Sequence, residues 1–108
     1  MENDDRSKQP FPPRGLSHKF EPGEWYKFLD ELRDLESRCG KNKHDRAAIL
    51  IAACIENGID TMGYIRSVLG PFGYNVRHVS LILKDRTGTD PERHMWSVNA
   101  SGHYRTIQ

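Results

Sequence analysis

The side chains suited to acid–base chemistry or metal binding are the imidazoles and thiols, and six of them lie between residues 39 and 103. They are Cys39, His44, Cys54, His78, His94 and His103. Cys39 with His44, or His94 with His103 facing it across a hairpin, could supply two metal ligands. Structural and catalytic zinc sites use three or four protein ligands. The spacing therefore predicts solvated histidines and no metal site.

The same residues do not form a catalytic pattern. The sequence has no phosphate-binding loop, no His-Glu-x-x-His, no Gly-x-Ser-x-Gly and no paired Cys-x-x-Cys motif. The histidines are too scattered to assign a base and a nucleophile. Cys54 lies in an apolar run and is expected to be an inert, buried thiol. We predict a protein that is not an enzyme and needs no cofactor.

Composition indicates one folded domain. The chain has 108 residues, of which 36% are hydrophobic and 29% charged, with a net charge of +1. That charge alone favours neither a nucleic acid nor a membrane as partner. The longest apolar run, from Ala47 to Ile55, is far shorter than the roughly 20 residues that span a bilayer. The first residues lack the basic and apolar regions of a signal peptide, so we expect a cytoplasmic protein.

The chain divides into a tail and a domain. Residues 1–19 are rich in proline and charge, which is typical of a disordered tail, and residues 20–108 are predicted to form the single domain. The tail has four basic residues: Arg6, Lys8, Arg14 and Lys19. They could act as a basic arm on a phosphate backbone, or the tail could serve only to keep the protein soluble.

Two helices are predicted in the first part of the domain. The run from Ala47 to Ile55 contains four alanines and is followed by Asn57-Gly58, which favours a central helix that ends at a left-handed glycine. The stretch from Glu24 to Ser37 has apolar residues at three- and four-residue spacing, as in an amphipathic helix. This helix is expected to pack on the central one; a role in forming a homodimer is the alternative.

A pair of helices with a tight turn follows. The first helix has Asp60 as its N-cap. It has one apolar face, whose last residue is Phe72, and Gly70-Pro71 kinks or ends it. Gly73-Tyr74-Asn75 then reads as a C-cap, an apolar residue and the next N-cap. The chain from Met95 to Val98 and from His103 to Ile107 is β-prone and predicts a hairpin. Tyr104 would pair across it with Trp96 or with Val98.

The helix predicted over residues 75–86 has two different sides. Val76, Val79 and Leu83 point inward, with Ser80 and Ile82 at the margin. The other side consists of polar, charged and one apolar residue: Arg77, His78, Leu81, Lys84 and Asp85. This side is predicted to face the solvent.

The order helix, helix, tight turn, helix and hairpin over residues 44–107 resembles the winged-helix branch of the helix-turn-helix superfamily. The resemblance is carried by the apolar run 47–55, the helix from Asp60 to Gly73, the turn Gly73-Tyr74-Asn75, the helix 76–86 and the hairpin with Trp96 and Gly102-x-Tyr104. It implies a mainly α fold with a C-terminal β-hairpin. The sequence departs from the family at Gly70-Pro71 and in having no room beyond Ile59 for a strand between the first two helices.

The resemblance also implies a function, sequence-dependent binding of double-stranded DNA by a small transcriptional or regulatory protein. Helix 75–86 would enter the major groove and the hairpin would act as the wing. The implied DNA-binding residues are Arg66, Asn75, Arg77, His78, Leu81, Lys84, Arg93, His103 and Arg105. Arginine can form bidentate hydrogen bonds to guanine, whereas a lone lysine more often contacts phosphate.

Two features favour an alternative function. A carboxylate at Asp85 would repel phosphates, and an exposed leucine at position 81 is the kind of anchor that a protein interface uses. The alternative is a protein-interaction module with the same fold, such as an adaptor or an inhibitor of a larger complex.

Overall fold

The computed structural model describes residues 20–107, and the predicted tail lies outside them. The described chain contains four helices and a two-stranded sheet. They are α1 (Pro22–Arg38), α2 (Lys43–Glu56), α3 (Met62–Leu69), a short 3-10 helix (Gly70–Phe72), α4 (Val76–Asp85), β1 (Trp96–Val98) and β2 (Tyr104–Thr106). The predicted fold class, mainly helical with a C-terminal β-hairpin, is confirmed.

The helix α2 forms the centre of the core. Asn42 caps it by accepting hydrogen bonds from the backbone amides of His44 and Asp45, so α2 begins four residues before the predicted run. Its inner face is fully buried and consists of Ala47, Ala48, Leu50, Ile51 and Cys54. The small alanines let α1, α3 and α4 approach closely, and desolvation by burial raises the pKa of the Cys54 thiol to about 12. The helix ends as predicted, with Gly58 at φ 86°.

The helix α1 covers one side of α2. Trp25, Phe28 and Leu32 are buried against it, and their spacing of three and four residues is the spacing of one helical face. Phe20 precedes the helix and contacts Trp25 edge-on, with ring centroids 5.1 Å apart. The N-terminal turn is closed by the amide of Glu21, which donates to the carboxylate of Glu24. The prediction that α1 packs on α2 is confirmed.

The segment between α2 and α3 differs from the prediction. The N-cap of α3 is Thr61, whose hydroxyl accepts from the amide of Tyr64 at 3.3 Å, and not Asp60. The backbone carbonyl of Asp60 instead accepts from the amide of Tyr104 at 2.7 Å, and Thr61 forms an isolated antiparallel bridge with His103. A single bridged residue thus joins the hairpin at the place where the sequence left no room for a strand.

The turn between α3 and α4 agrees with the sequence. Gly70-Pro71 ends α3 in a single 3-10 turn, and Gly73 at φ 94° occupies the left-handed region that only glycine adopts freely. The side chain of Asn75 caps α4 by accepting from the amide of Arg77. Tyr74 is buried between them, and its hydroxyl donates to the carboxylate of Glu36 on α1.

The hairpin is held against α4 by Trp96. This side chain is fully buried, and its indole nitrogen donates to the carbonyl oxygen of Leu83 and to the hydroxyl of Thr87. Val98 pairs with Tyr104 and Trp96 with Thr106, so the second of the two predicted cross-strand pairs is the correct one. Because alternate residues of a strand share a face, Trp96, Val98 and Tyr104 all point toward α4.

Candidate functional site

The exposed face of α4 forms a narrow ridge. Arg77, Leu81 and Lys84 follow one another at spacings of four and three residues, so they lie on one side of the helix, and all three are exposed. Leu81 leaves 58% of its surface in solvent, which is unusual for a leucine in the middle of a helix of a small domain. The ridge places the two predicted cations of α4 together and turns both outward.

The opposite side of α4 is buried, with one correction to the prediction. Val79, Ile82 and Leu83 form the packed face, including Ile82, which the helical pattern placed only at the margin. Val76 was predicted to point inward but is 53% exposed. It lies in the first turn, beside the capping residue Asn75, where the helix extends beyond the elements that cover its later turns.

A groove runs between this ridge and the hairpin. It has a volume of about 460 Å³. Its apolar lining consists of Met62, Leu81, Val98 and Tyr104, and its charged lining of Arg77 and Lys84. No carboxylate among the described residues lines the groove. The site is therefore an apolar channel with positive charge along one wall, suited to an anionic partner that also has apolar groups.

The sequence did not reveal that Met62, Val98 and Tyr104 belong to this site. Met62 and Tyr104 were read as packing residues of α3 and the hairpin. One signal was available, because Val98 and Tyr104 form a candidate cross-strand pair that is predicted to lie over the helices. The structure places this pair opposite Leu81, and the exposed apolar surfaces of the two elements meet there.

His78 lies on a different flank of α4 from the ridge. Its Nε2 atom is 2.9 Å from Nδ1 of His44 on α2, and the two rings meet edge-on with centroids 4.6 Å apart. Burial lowers the pKa of His78 below its ordinary value, and the neighbouring His44 and Lys43 lower it further. His78 is thus mostly neutral at pH 7 and serves as a hydrogen-bonding contact between two helices rather than as part of the ridge.

The other two histidines of residues 20–107, His94 and His103, each have a separate partner. His103 is paired with the carboxylate of Asp60, with 3.1 Å between Nδ1 and Oδ1. His94 accepts a hydrogen bond from the backbone amide of Asp90 at 3.2 Å, and the thiol of Cys39 donates to the carbonyl of Leu35. Within residues 20–107 there is no group of three or more side chains arranged to hold a metal ion.

The other predicted cations are spread over several elements. Arg105 is paired with Ser97 and therefore points to the face of the hairpin opposite Val98 and Tyr104. Arg93 is exposed in the turn before β1, and Arg66 is half-buried on α3. Asn75 uses its side-chain oxygen to cap α4, accepting from the amide of Arg77 at 2.7 Å, so its side chain is held at the start of the helix.

Comparison of the chain with protein-family models, with curated proteins and with solved structures finds no significant match in any of the three. The helices of the described part of the chain are all too short or too polar to cross a membrane. Any statement about function therefore depends on the geometry of the ridge and the groove.

Proposed function

We propose that this chain is a cytoplasmic winged-helix protein that binds double-stranded DNA and acts as a small regulatory factor. The observation that carries the proposal is the exposed ridge of Arg77, Leu81 and Lys84 on a capped helix beside a hairpin. A recognition helix needs an exposed cationic face, a buried opposite face and an accessible N-terminal end. α4 has all three.

The arrangement around α4 supports the winged-helix assignment. α3 and α4 are joined by the short 3-10 helix Gly70–Phe72 and the three residues Gly73 to Asn75, and the hairpin follows α4 along the chain. The bridge between Thr61 and His103 adds a third short segment beside β2. In this assignment α2 and α3 support α4, and β1 with β2 form the wing.

On DNA, α4 would lie in the major groove with its N-terminal half closest to the bases. Arg77, in the first turn, would form a bidentate contact with guanine, and Leu81 would contact the methyl group of a thymine. Lys84, one turn further along, would meet a phosphate. On the other face of the hairpin, Arg105 would reach the backbone beside the wing.

The number of exposed cations limits the strength of binding. Arg77, Lys84, Arg93 and Arg105 are exposed and free of ion pairs within the described chain. Arg86, in contrast, lies 3.7 Å from the carboxylate of Asp45. Each phosphate contact contributes about 0.9 to the salt dependence of log affinity. With Arg77 on a base, Lys84, Arg93 and Arg105 remain for phosphates, so a slope of about 3 is expected for one copy.

Fluorescence anisotropy with a random-sequence duplex at low salt tests the proposal. Arg77→Ala and Lys84→Ala should each weaken binding, and Lys84→Ala should reduce the salt slope by about 1. Lys27→Ala, which removes an exposed cation of α1, is the matched control and should leave affinity nearly unchanged. Asp85→Asn should strengthen binding because it removes a carboxylate next to the ridge. Wild-type protein that fails to bind duplex DNA at low salt would refute the proposal.

The exposed leucine favours a second candidate function, a protein-interaction module that uses the same groove. Large exposed apolar side chains that lie together commonly mark binding surfaces for proteins. In that case Leu81→Asp would abolish association with a partner while the circular dichroism spectrum stays that of the wild type, and Lys84→Ala would have little effect. If Leu81→Asp and Lys84→Ala lose duplex binding to the same extent, DNA is favoured over a protein as the partner.

A further inference from the structure

The groove between α4 and the hairpin has an apolar lining and two cations, and no part of the described chain fills it. Leu81 and Val98 are 58% and 41% exposed. Water in contact with this surface would be released if a complementary apolar group covered it. A suitable occupant would have an apolar side chain flanked by carboxylates.

The outer face of α1 has these features. Tyr26 is 48% exposed, Leu29 is half-buried beside it, and Asp30 lies one turn after Tyr26 on the same side. α1 contains five acidic and three basic residues and therefore carries a net negative charge. Arg33 lies on the same surface as Tyr26 and Asp30 and sits over the ring of Phe72 at 4.8 Å, while Arg38 is paired with Asp34. Within the described residues, Asp30 forms no ion pair, so its carboxylate is available to a second copy.

We propose that α1 of a second copy of this chain docks into the groove. Tyr26 would enter beside Leu81, where its ring could pack on the apolar lining and its hydroxyl could remain in contact with water. Asp30 would then face Arg77 or Lys84. Both surfaces lie on every copy, so the contact gives a closed dimer if a two-fold axis relates the copies and a longer chain if it does not.

The contact regulates the ridge if the proposed DNA-binding function is correct, and this part of the inference rests on that function. A docked α1 would cover Leu81 and place carboxylates next to the two cations that DNA requires. Self-association and DNA binding would then exclude each other. By linkage, DNA must weaken self-association by the same factor by which self-association weakens DNA binding.

Sedimentation velocity of the full chain without DNA tests the contact itself. The wild type should change from monomer to a larger species between about 1 µM and about 1 mM, the range expected for a small, partly polar interface. Leu81→Asp and Tyr26→Glu should each remain monomeric. Ile49→Asp, which alters an exposed apolar residue of α2 outside both surfaces, should associate like the wild type. Circular dichroism verifies that each variant is folded.

Mixing the two monomeric variants gives the sharper test. Tyr26→Glu retains an intact groove and Leu81→Asp retains an intact α1, so the mixed pair has one intact contact and should form a 1:1 dimer that neither variant forms alone. This dimer should be weaker than a closed wild-type dimer, which has two such contacts. Wild-type protein that stays monomeric throughout the range would overturn the proposal. So would association that is lost in Leu81→Asp and retained in Tyr26→Glu, since that result indicates contact between two grooves.

A separate measurement tests whether a docked α1 blocks DNA binding. Adding duplex DNA should shift the wild type toward monomers on DNA, and Tyr26→Glu, which keeps the ridge, should bind DNA more tightly than the wild type at high protein concentration. If the associated form binds DNA with unchanged affinity, α1 does not block DNA binding, although the contact between α1 and the groove can still exist. Absence of DNA binding in all forms would refute the proposed function and leave the sedimentation result to decide the contact.

Discussion

The indole nitrogen of Trp96 lies 2.9 Å from the carbonyl oxygen of Leu83, and this hydrogen bond ties the hairpin to the last turn of α4. The same carbonyl accepts from the hydroxyl of Thr87, which in turn accepts from the indole. Through these contacts a buried side chain of the hairpin fixes the end of the helix whose exposed face forms the ridge. The position of the hairpin relative to α4 therefore depends on Trp96.

Replacing Trp96 by phenylalanine should destabilise the protein by about 1–3 kcal/mol, because the two hydrogen bonds from the indole are lost and the smaller ring leaves space in a buried site. Trp25→Phe is the matched control. Trp25 is also buried, but its indole nitrogen has no hydrogen-bond partner among the described residues. Its replacement removes an unsatisfied donor and should cost less. Urea denaturation of the two variants measures the difference, and equal costs would contradict this account of Trp96.

The glycine at position 73 should be far less replaceable than the glycine at position 63. Gly73 has a φ of 94°, where an added Cβ is strained, so Gly73→Ala should cost about 1–2 kcal/mol. Gly63 lies within α3 with open space around it, so Gly63→Ala should stabilise the fold by up to about 1 kcal/mol. Thermal unfolding compares them. A stable Gly73→Ala variant would mean that the turn tolerates another conformation.

The contact between His44 and His78 predicts a loss of stability in acid. The pKa of His78 is lowered in the folded protein, so the unfolded chain binds a proton more readily than the folded one. The free energy of unfolding should therefore be constant above the ordinary histidine value of about 6.5 and decrease as the pH falls below it. The decrease should level off once His78 is protonated in the folded state as well.

Denaturation of the wild type and of His78→Gln between about pH 5 and pH 8 tests this. Glutamine retains a hydrogen-bonding group but does not titrate, so the stability of the variant should depend less on pH over this interval. His44→Gln should also reduce the dependence, because His44 is one of the groups that lower the pKa of His78. An identical pH dependence in the wild type and His78→Gln would show that another group is responsible.

Much of the fold was predictable because it follows from local pattern. The caps of α4, the left-handed glycines and the amphipathic face of α1 all depend on residues within a few positions of one another. The cap of α3 did not follow in the same way. Asp60 and Thr61 are both good caps. Thr61 caps the helix, while Asp60 contacts Tyr104 of β2 and the preceding residue His103, more than forty residues away.

The candidate site was predictable only in part, for the same physical reason. Helical period places Arg77, Leu81 and Lys84 on one face, and the structure agrees. The helical period shows on which side of α4 a residue lies, but not how much of that side the neighbouring elements cover. Val76 was assigned to the core for this reason. Nor does the helical period reveal that Val98 and Tyr104 face Leu81 across a groove, since that depends on how Trp96 docks the hairpin.

Leu81 and Leu83 provide the last prediction, because they are two residues apart on one helix and have opposite surroundings. Leu83 is fully buried, so Leu83→Ala should cost about 2–5 kcal/mol of stability through lost burial and a cavity. Leu81→Ala should change stability by less than about 0.5 kcal/mol, as expected for an exposed side chain. Urea denaturation measures both. Leu81→Ala should nevertheless weaken DNA binding or self-association, because both proposals place this side chain in the binding contact. A Leu81→Ala variant that retains both DNA binding and self-association would show that Leu81 is not part of the functional surface.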